Sequence, residues 1–160
     1  MAEVADSSRS GGLRAVLLGA PGSGKGTQAE FLAGSLGVPA ISTGAMLRDA
    51  VALGSALGSK VEGIMASGGL VDDALMAEVV RERLGRPDAA GGFLLDGYPR
   101  TTGQAAMLDS ILAERQEQLD AVLLLEVPEA VLVERAVARK RADDGEELGH
   151  HGRHAGEVGG

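Results

Sequence analysis

Three stretches of this chain carry side chains whose types and spacing suit chemistry on phosphate. The first is Gly19 to Thr27, GAPGSGKGT, which follows an apolar run and opens a helix-forming one. Its glycines, Gly22, Gly24 and Gly26 among them, let consecutive backbone N–H groups around Ser23 turn toward one anion. A helix N-terminus adds partial positive charge, and Lys25 can reach the β and γ phosphates of a nucleoside triphosphate. The Thr27 hydroxyl can hold magnesium. The alternative is a glycine-rich strand-to-helix turn without a ligand. The second stretch is Gly92 to Arg100, GFLLDGYPR, followed by Thr101 and Gln104. It puts Asp96 at the carboxyl end of a strand, where ligands gather in open α/β sheets, and where a carboxylate can bind magnesium through a water. An isolated Asp-Gly pair is otherwise a turn. The third is the pair Arg135 and Arg139, i, i+4 neighbours on one helix face. Like charges so placed cost a helix ~0.2–0.5 kcal/mol, a sign that an anion between them would reverse. Cations near a helix end also complement its dipole.

The elements that must position these residues are readable in outline. Leu13 to Leu18 suits a buried parallel strand, and a helix is expected from about Gly24 to Leu36 with Leu32 and Leu36 on its inner face. Ala40–Ile41 is a brief second strand, after which STGAMLRDAV restarts a helix. Ser42 and Thr43 stand where a helix N-cap belongs. Leu57, Val61, Ile64 and Met65 follow amphipathic spacing until Gly68-Gly69. Asp72 or Asp73 caps the next helix, with Leu75, Val79 and Leu84 inward and Gly85 at its end. Phe93 to Asp96 is a strand, Thr101 to about Gln116 a helix, and Ala121 to Val127 the most strand-like run in the chain. Pro128 opens the last helix, where its missing N–H costs nothing. Strands alternating with helices predict an α/β fold with a doubly wound parallel sheet.

Composition narrows the function classes. The chain has 160 residues, 44% of them hydrophobic, enough for one compact core with a small insertion. A net charge of −8 argues against a broad nucleic-acid surface, so any basic site is local. No run approaches the ~20 apolar residues of a membrane span. There is no cysteine, which excludes disulfides and is compatible with the cytoplasm. Residues 1–12 read as a flexible N-terminal extension. From Arg141 the apolar period stops, and residues 145–160 read as a disordered tail. His150, His151 and His154 sit in that stretch without a convincing fourth ligand, so a solvated tail is preferred to a zinc site.

The G-x-P-G-x-G-K-G-T form of the first stretch, with Thr27 one place later than the generic pattern, resembles the phosphate loop of adenylate kinases and the related UMP/CMP kinases. The resemblance runs from Leu13 to about Asp144 and implies a P-loop kinase domain over 13–144, with a nucleoside-monophosphate-binding insertion at about 42–71. It implies ATP binding by Gly22 to Thr27 and Arg135. For AMP it implies Thr43, Arg48, the stretch Gly69, Leu70 and Val71, then Gly97, Tyr98, Pro99, Arg100 and Gln104. Thr43 and Arg48 belong to STGAMLR, and Thr43, where UMP/CMP kinases tend to carry alanine, leans toward AMP. Lys25, Arg100, Arg135, Arg139 and Arg141 are the implied catalytic cations, with Mg²⁺ near Thr27 and Asp96. The implied reaction is reversible phosphoryl transfer from MgATP to AMP giving two ADP, by a monomer. The rivals are a UMP or CMP kinase and a nucleotide-binding remnant with little turnover.

Two departures qualify the likeness. Between Arg139 and Arg141 there is no room for a long lid, so the chain resembles the short, lidless type. After Asp144 the family continues through an arginine-bearing helix, a last strand and a final helix that are not recognisable here, as if truncated or shifted in frame. The Ala121–Val127 strand is then expected to be an exposed apolar edge.

Overall fold

A computed structural model of the chain describes residues 12–151, with side chains described as far as Lys140. Most of the N-terminal extension, the end of the tail with His154, and the side chains of Arg141, His150 and His151 lie outside the described residues.

Four parallel strands form one sheet in the order β2-β3-β1-β4: β1 Arg14–Gly19, β2 Ala40–Ser42, β3 Phe93–Asp96 and β4 Ala121–Leu125. Strand β1 lies in the middle, with Val16 opposite Leu95 on one side and Val122 on the other. Alternation along β1 and β3 sorts the side chains by face. Ala15, Leu17 and Leu94 pack against Ala29 and Ala33 of helix α1, Lys25–Leu36. Val16, Phe93 and Leu95 pack on the opposite face with Leu84 of α4, Asp73–Leu84, and with Leu108 and Ile111 of α5, Thr102–Glu114. Helices therefore cover both faces, the doubly wound arrangement expected from the alternation of strands and helices.

Helix α1 turns Leu32 inward as expected, packed against the cluster of Ala15, Leu17 and Leu94, but not Leu36. Ala29 and Ala33 are buried, whereas Leu36 is 45% exposed and Phe31 69% exposed. Small residues let the helix lie close on the sheet, so the fully buried part of the contact stripe is alanine, with Leu32 packed beside it.

Between β2 and β3 the chain makes α2, Thr43–Ala52, and α3, Ala56–Ala66, before α4. Each starts on a side-chain cap: Ser42 accepts from the Ala45 N–H, Ser55 from Gly58 and Asp72 from Leu75. Of the two expected cap candidates before α4, Asp72 is the cap and Asp73 is the first helical residue. Gly58 lets α3 touch α2, since a Cβ there would sit 2.0 Å from the Ala50 carbonyl oxygen. Val61 is fully buried and Met65 is 47% exposed. At the far end of α4, Arg83 makes two hydrogen bonds to Asp88, 2.9 and 2.8 Å, and Arg86 pairs with Asp49 of α2 at 3.1 Å.

Strand β4 pairs with β1 alone, so its other edge is open among the described residues. Val122 and Leu124 are 59% and 63% exposed, the apolar edge expected from the sequence. The strand is anchored at its start, where the Arg14 N–H donates to Asp120 Oδ2 at 2.8 Å. Beside it, Glu117 accepts from Arg115 at 2.9 and 3.2 Å and pairs with Arg14 at 3.5 Å. Burial alone would raise the Glu117 carboxyl, but the hydrogen bonds and charge of Arg115, with Arg14 behind them, hold it below its ordinary value.

Helix α6 runs Glu129–His151, so the chain is helical to His151 where a structureless tail was expected from residue 145. Extending an established helix needs no new nucleus, and Ala142, Glu146, Glu147 and Leu148 all favour it.

Candidate functional site

The loops after β1 and β3 leave neighbouring strands toward helices on opposite faces of the sheet. That divergence opens a crevice beyond the strand ends, the place where open α/β sheets bind ligands. The loop after β1 is the glycine-rich stretch. Gly24, with φ 86°, is the cap of α1, and Lys25 is its first residue. Lys25 Nζ donates to Asp96 Oδ1 at 2.6 Å, across the crevice and at the end of β3. Both side chains are mostly buried, 19% and 12% exposed. Ser23 is buried with its hydroxyl unpartnered, tucked under Gly19.

The next residue along β3, Gly97, has φ 79°, and a Cβ there would approach Arg100 Nη2 to 3.1 Å and Lys25 Nζ to 3.5 Å. Glycine is required both by the backbone and by the crowd of cations around it. The Gly97 carbonyl accepts from Arg100 Nε at 2.7 Å and from Thr43 Oγ1 at 3.2 Å. Thr43 is thus tied to the crevice, while the capping role falls to Ser42 alone. A cleft of about 520 Å³ lies between the two loops, lined by Leu18, Gly19, Pro21, Lys25, Gly97, Pro99 and Arg100.

Gln104 extends this cluster toward the small insertion. Its Oε1 accepts from the Arg100 N–H at 2.8 Å, and its Nε2 donates to Asp73 Oδ1 at 2.8 Å. Thr101 caps α5 by accepting the Gln104 N–H at 3.1 Å. Tyr98, preceded in the chain by Gly97 and joined to Pro99 by a cis peptide bond, is 1% exposed. Its side chain is core, and its phenol is pushed up by burial and then by the negative charge of Asp73.

The other expected site residues are gathered less tightly. Arg135 Nη1 donates to the Gly22 carbonyl at 3.0 Å, which draws the start of α6 onto the glycine loop. Arg48 and Arg139 are exposed and have no ion pair or hydrogen bond among the described residues. Arg141 lies on the same helix as Arg139, its side chain outside the described residues. Gly69, Leu70 and Val71 lead out of the insertion, with Leu70 95% exposed. Asp73 did not emerge from the sequence as a site residue; a bond across 31 positions leaves no periodic signal.

The oxygen set near the loop suits a hard cation. The Asp96 carboxylate faces the start of α1, where a Cβ on Gly26 would stand 3.9 Å from Oδ2, and the hydroxyl of Thr27 follows in the next position. Among the described residues no three His, Cys, Asp or Glu side chains converge. A magnesium ion here would draw its remaining ligands from phosphate and water, its usual mode with nucleotides.

The sequence profile described as adenylate kinase matches residues 17–151. The chain belongs to the adenylate kinase family. Among similar proteins is the adenylate kinase of Gloeobacter violaceus, 51% identical over 127 residues, which are 79% of this chain and 58% of that one. That of Kosmotoga olearia is 54% identical over 125 residues, 78% of this chain and 58% of its own. Adenylate kinase 1 of Synechocystis is 52% identical over 131 residues, 82% and 70% of the two chains. The chain thus spans about 58% of the length of the first two relatives. The four-stranded parallel sheet with helices on both faces is consistent with this P-loop family. No helix among the described residues is long and apolar enough to cross a membrane.

Proposed function

We propose that this chain binds ATP and AMP on the two sides of the Lys25–Arg100 crevice and transfers the terminal phosphoryl group between them, giving two ADP. The observation that carries the reading is the meeting of Lys25, Asp96, Gly97, Thr43 and Arg100 around one cleft, with the glycine loop on one wall and the Arg100 turn on the other. Phosphoryl transfer asks the protein for in-line placement, charge neutralisation and exclusion of water; it asks for no general base. Lys25 and the loop amides would hold the donor phosphates. Arg100, with Arg48, would hold the phosphate of the acceptor, and Thr43, Gly69 to Val71 and Gln104 its base. Arg135, Arg139 and Arg141 would close around the group in transit. Magnesium, bound with ATP, would neutralise charge on the phosphate oxygens, and Thr27 and Asp96 are the oxygen donors for it or for its waters. The insertion at about 42–71 would close over the acceptor and keep water out.

The test is ADP formation from ATP and AMP by the whole chain beside a Lys25→Met variant. Loss of turnover in the variant is expected; equal rates would refute the assignment. UMP and CMP in place of AMP separate the nearest rival, which Thr43 disfavours. The exposure of β4 and of Arg139, which has no ion pair or hydrogen bond among the described residues, favours one further reading, binding without turnover. ATP binding by calorimetry with no ADP formed would support it.

A further inference from the structure

The Gln104 amide is held from both ends by partners that cannot exchange roles. The Arg100 N–H can only donate, and it meets Oε1 at 2.8 Å; the Asp73 carboxylate accepts, and it meets Nε2 at 2.8 Å. Turning the amide over would set its oxygen against a carboxylate oxygen and its N–H₂ against an N–H. The orientation is therefore locked, and it is locked by side chains from two elements: Asp73 is the first residue of α4, and Gln104 lies in the first turn of α5. One N–H of Nε2 and one lone pair of Oε1 remain for a ligand.

A fixed donor beside a fixed acceptor reads a base by the order of its own groups. Adenine offers an amino donor at C6 beside a ring-nitrogen acceptor on either of its edges. Hypoxanthine differs only at that position and reverses the pattern: a carbonyl acceptor at C6 beside an N1–H donor on one edge, and two acceptors on the other. A Gln amide free to turn over suits both bases; a locked one suits a single order. Resting on the acceptor-site reading above, we propose that Asp73 is a positioning residue that sets acceptor-base specificity by holding Gln104 in the orientation for a 6-aminopurine against a 6-oxopurine.

Calorimetric titration of the whole chain with AMP and with IMP tests this. The parent binds AMP more tightly than IMP. Asp73→Asn, whose own amide can donate or accept, lowers the AMP-to-IMP affinity ratio by about tenfold, while ATP affinity and the thermal midpoint hold. Asp73→Glu, which keeps a carboxylate there, recovers part of the ratio, and in a Gln104→Ala background Asp73→Asn has no further effect. Asp72 still caps α4 in these variants, and Asp73→Ser, with a hydroxyl able to donate, replaces Asp73→Asn if that one does not fold. An unchanged ratio in a folded Asp73 variant whose parent discriminates overturns this inference and leaves the kinase reading standing. A parent that binds neither monophosphate overturns both.

Discussion

Asp96→Asn should change the sign of its effect on ATP binding according to whether magnesium is present. Without a nucleotide, Lys25 and Asp96 neutralise each other at 2.6 Å, with side chains 19% and 12% exposed. Lys25 must leave that contact to reach a phosphate. At an effective dielectric of ~20, the gross attraction of charges about 3 Å apart is roughly 5 kcal/mol. Desolvation of the pair, and the hydrogen bond that an asparagine oxygen would still accept, leave a net advantage of about 1–2 kcal/mol for the charged pair. Removing it frees Lys25, and removing a negative charge from a polyanion site acts in the same direction. Metal-free ATP should then bind Asp96→Asn about 5–30-fold more tightly than the parent. With magnesium the variant would lose a carboxylate proposed to orient the cation's waters, and its advantage should vanish or reverse. Calorimetry in EDTA and in magnesium, with thermal unfolding as a check on folding, reads both arms. Weaker binding of metal-free ATP by a folded Asp96→Asn would refute the idea that the pair restrains Lys25.

Other consequences of the structure are open to direct measurement. Gly58→Ala places a Cβ 2.0 Å from the Ala50 carbonyl oxygen and 2.9 Å from its carbon, both backbone atoms, so α2 and α3 must part. A loss of about 1–3 kcal/mol is expected in urea unfolding, with AMP affinity falling further than ATP affinity; an unchanged midpoint would mean the helices shift freely. The carboxyls of Asp88, held down by its Arg83 hydrogen bonds and then by charge against the pull of burial, and of Glu117 bind protons less readily folded than unfolded. The stability they lend is complete above about pH 4.5 and is lost as pH falls through their lower folded values. Glu117→Gln should cost about 1–3 kcal/mol at pH 7, a difference that shrinks toward pH 3; a gap constant with pH would show that charge is not its source. Leu124→Lys, at a side chain 63% exposed on the open edge of β4, should leave the thermal midpoint nearly unchanged and lower light scattering at high concentration. Scattering equal to the parent's would show that the edge does not drive association.

What the sequence disclosed depended on whether a function was written in contiguous residues. Gly19 to Thr27 and Gly92 to Arg100 each pack their residues into one turn beside one strand, so residue type and order reveal strand and turn together. The caps at Ser42 and Asp72 are local for the same reason. The inner face of α1 is legible at Leu32, which packs there, but not at Ala29 and Ala33, because closeness to the sheet selects small residues that an apolar count passes over in favour of the exposed Leu36. The extent of α6 was missed because helix propagation needs only tolerable propensity once a helix exists. Asp73 stands in the sequence as a cap candidate, and its link to Gln104 belongs to the packing of α4 against α5, which no local pattern encodes.

The two halves of the proposed site meet at a single backbone unit. Asp96 holds Lys25 of the glycine loop, and the carbonyl of the next residue, Gly97, accepts from both Thr43 at the head of the insertion and Arg100. A displacement of Asp96, such as loss of Lys25 to a phosphate, therefore acts one peptide away from the anchor of the acceptor side. Arg100 in turn offers its N–H to Gln104, whose amide reaches Asp73 at the exit of the insertion. The insertion is thus tied to the crevice at both its entrance and its exit, by neutral or charge-assisted hydrogen bonds each contributing only ~0.5–3 kcal/mol. Contacts of that size order the site, yet they are weak enough for the two phosphate-bearing ligands proposed above to rearrange them. That balance is what the proposed closure over the acceptor would require.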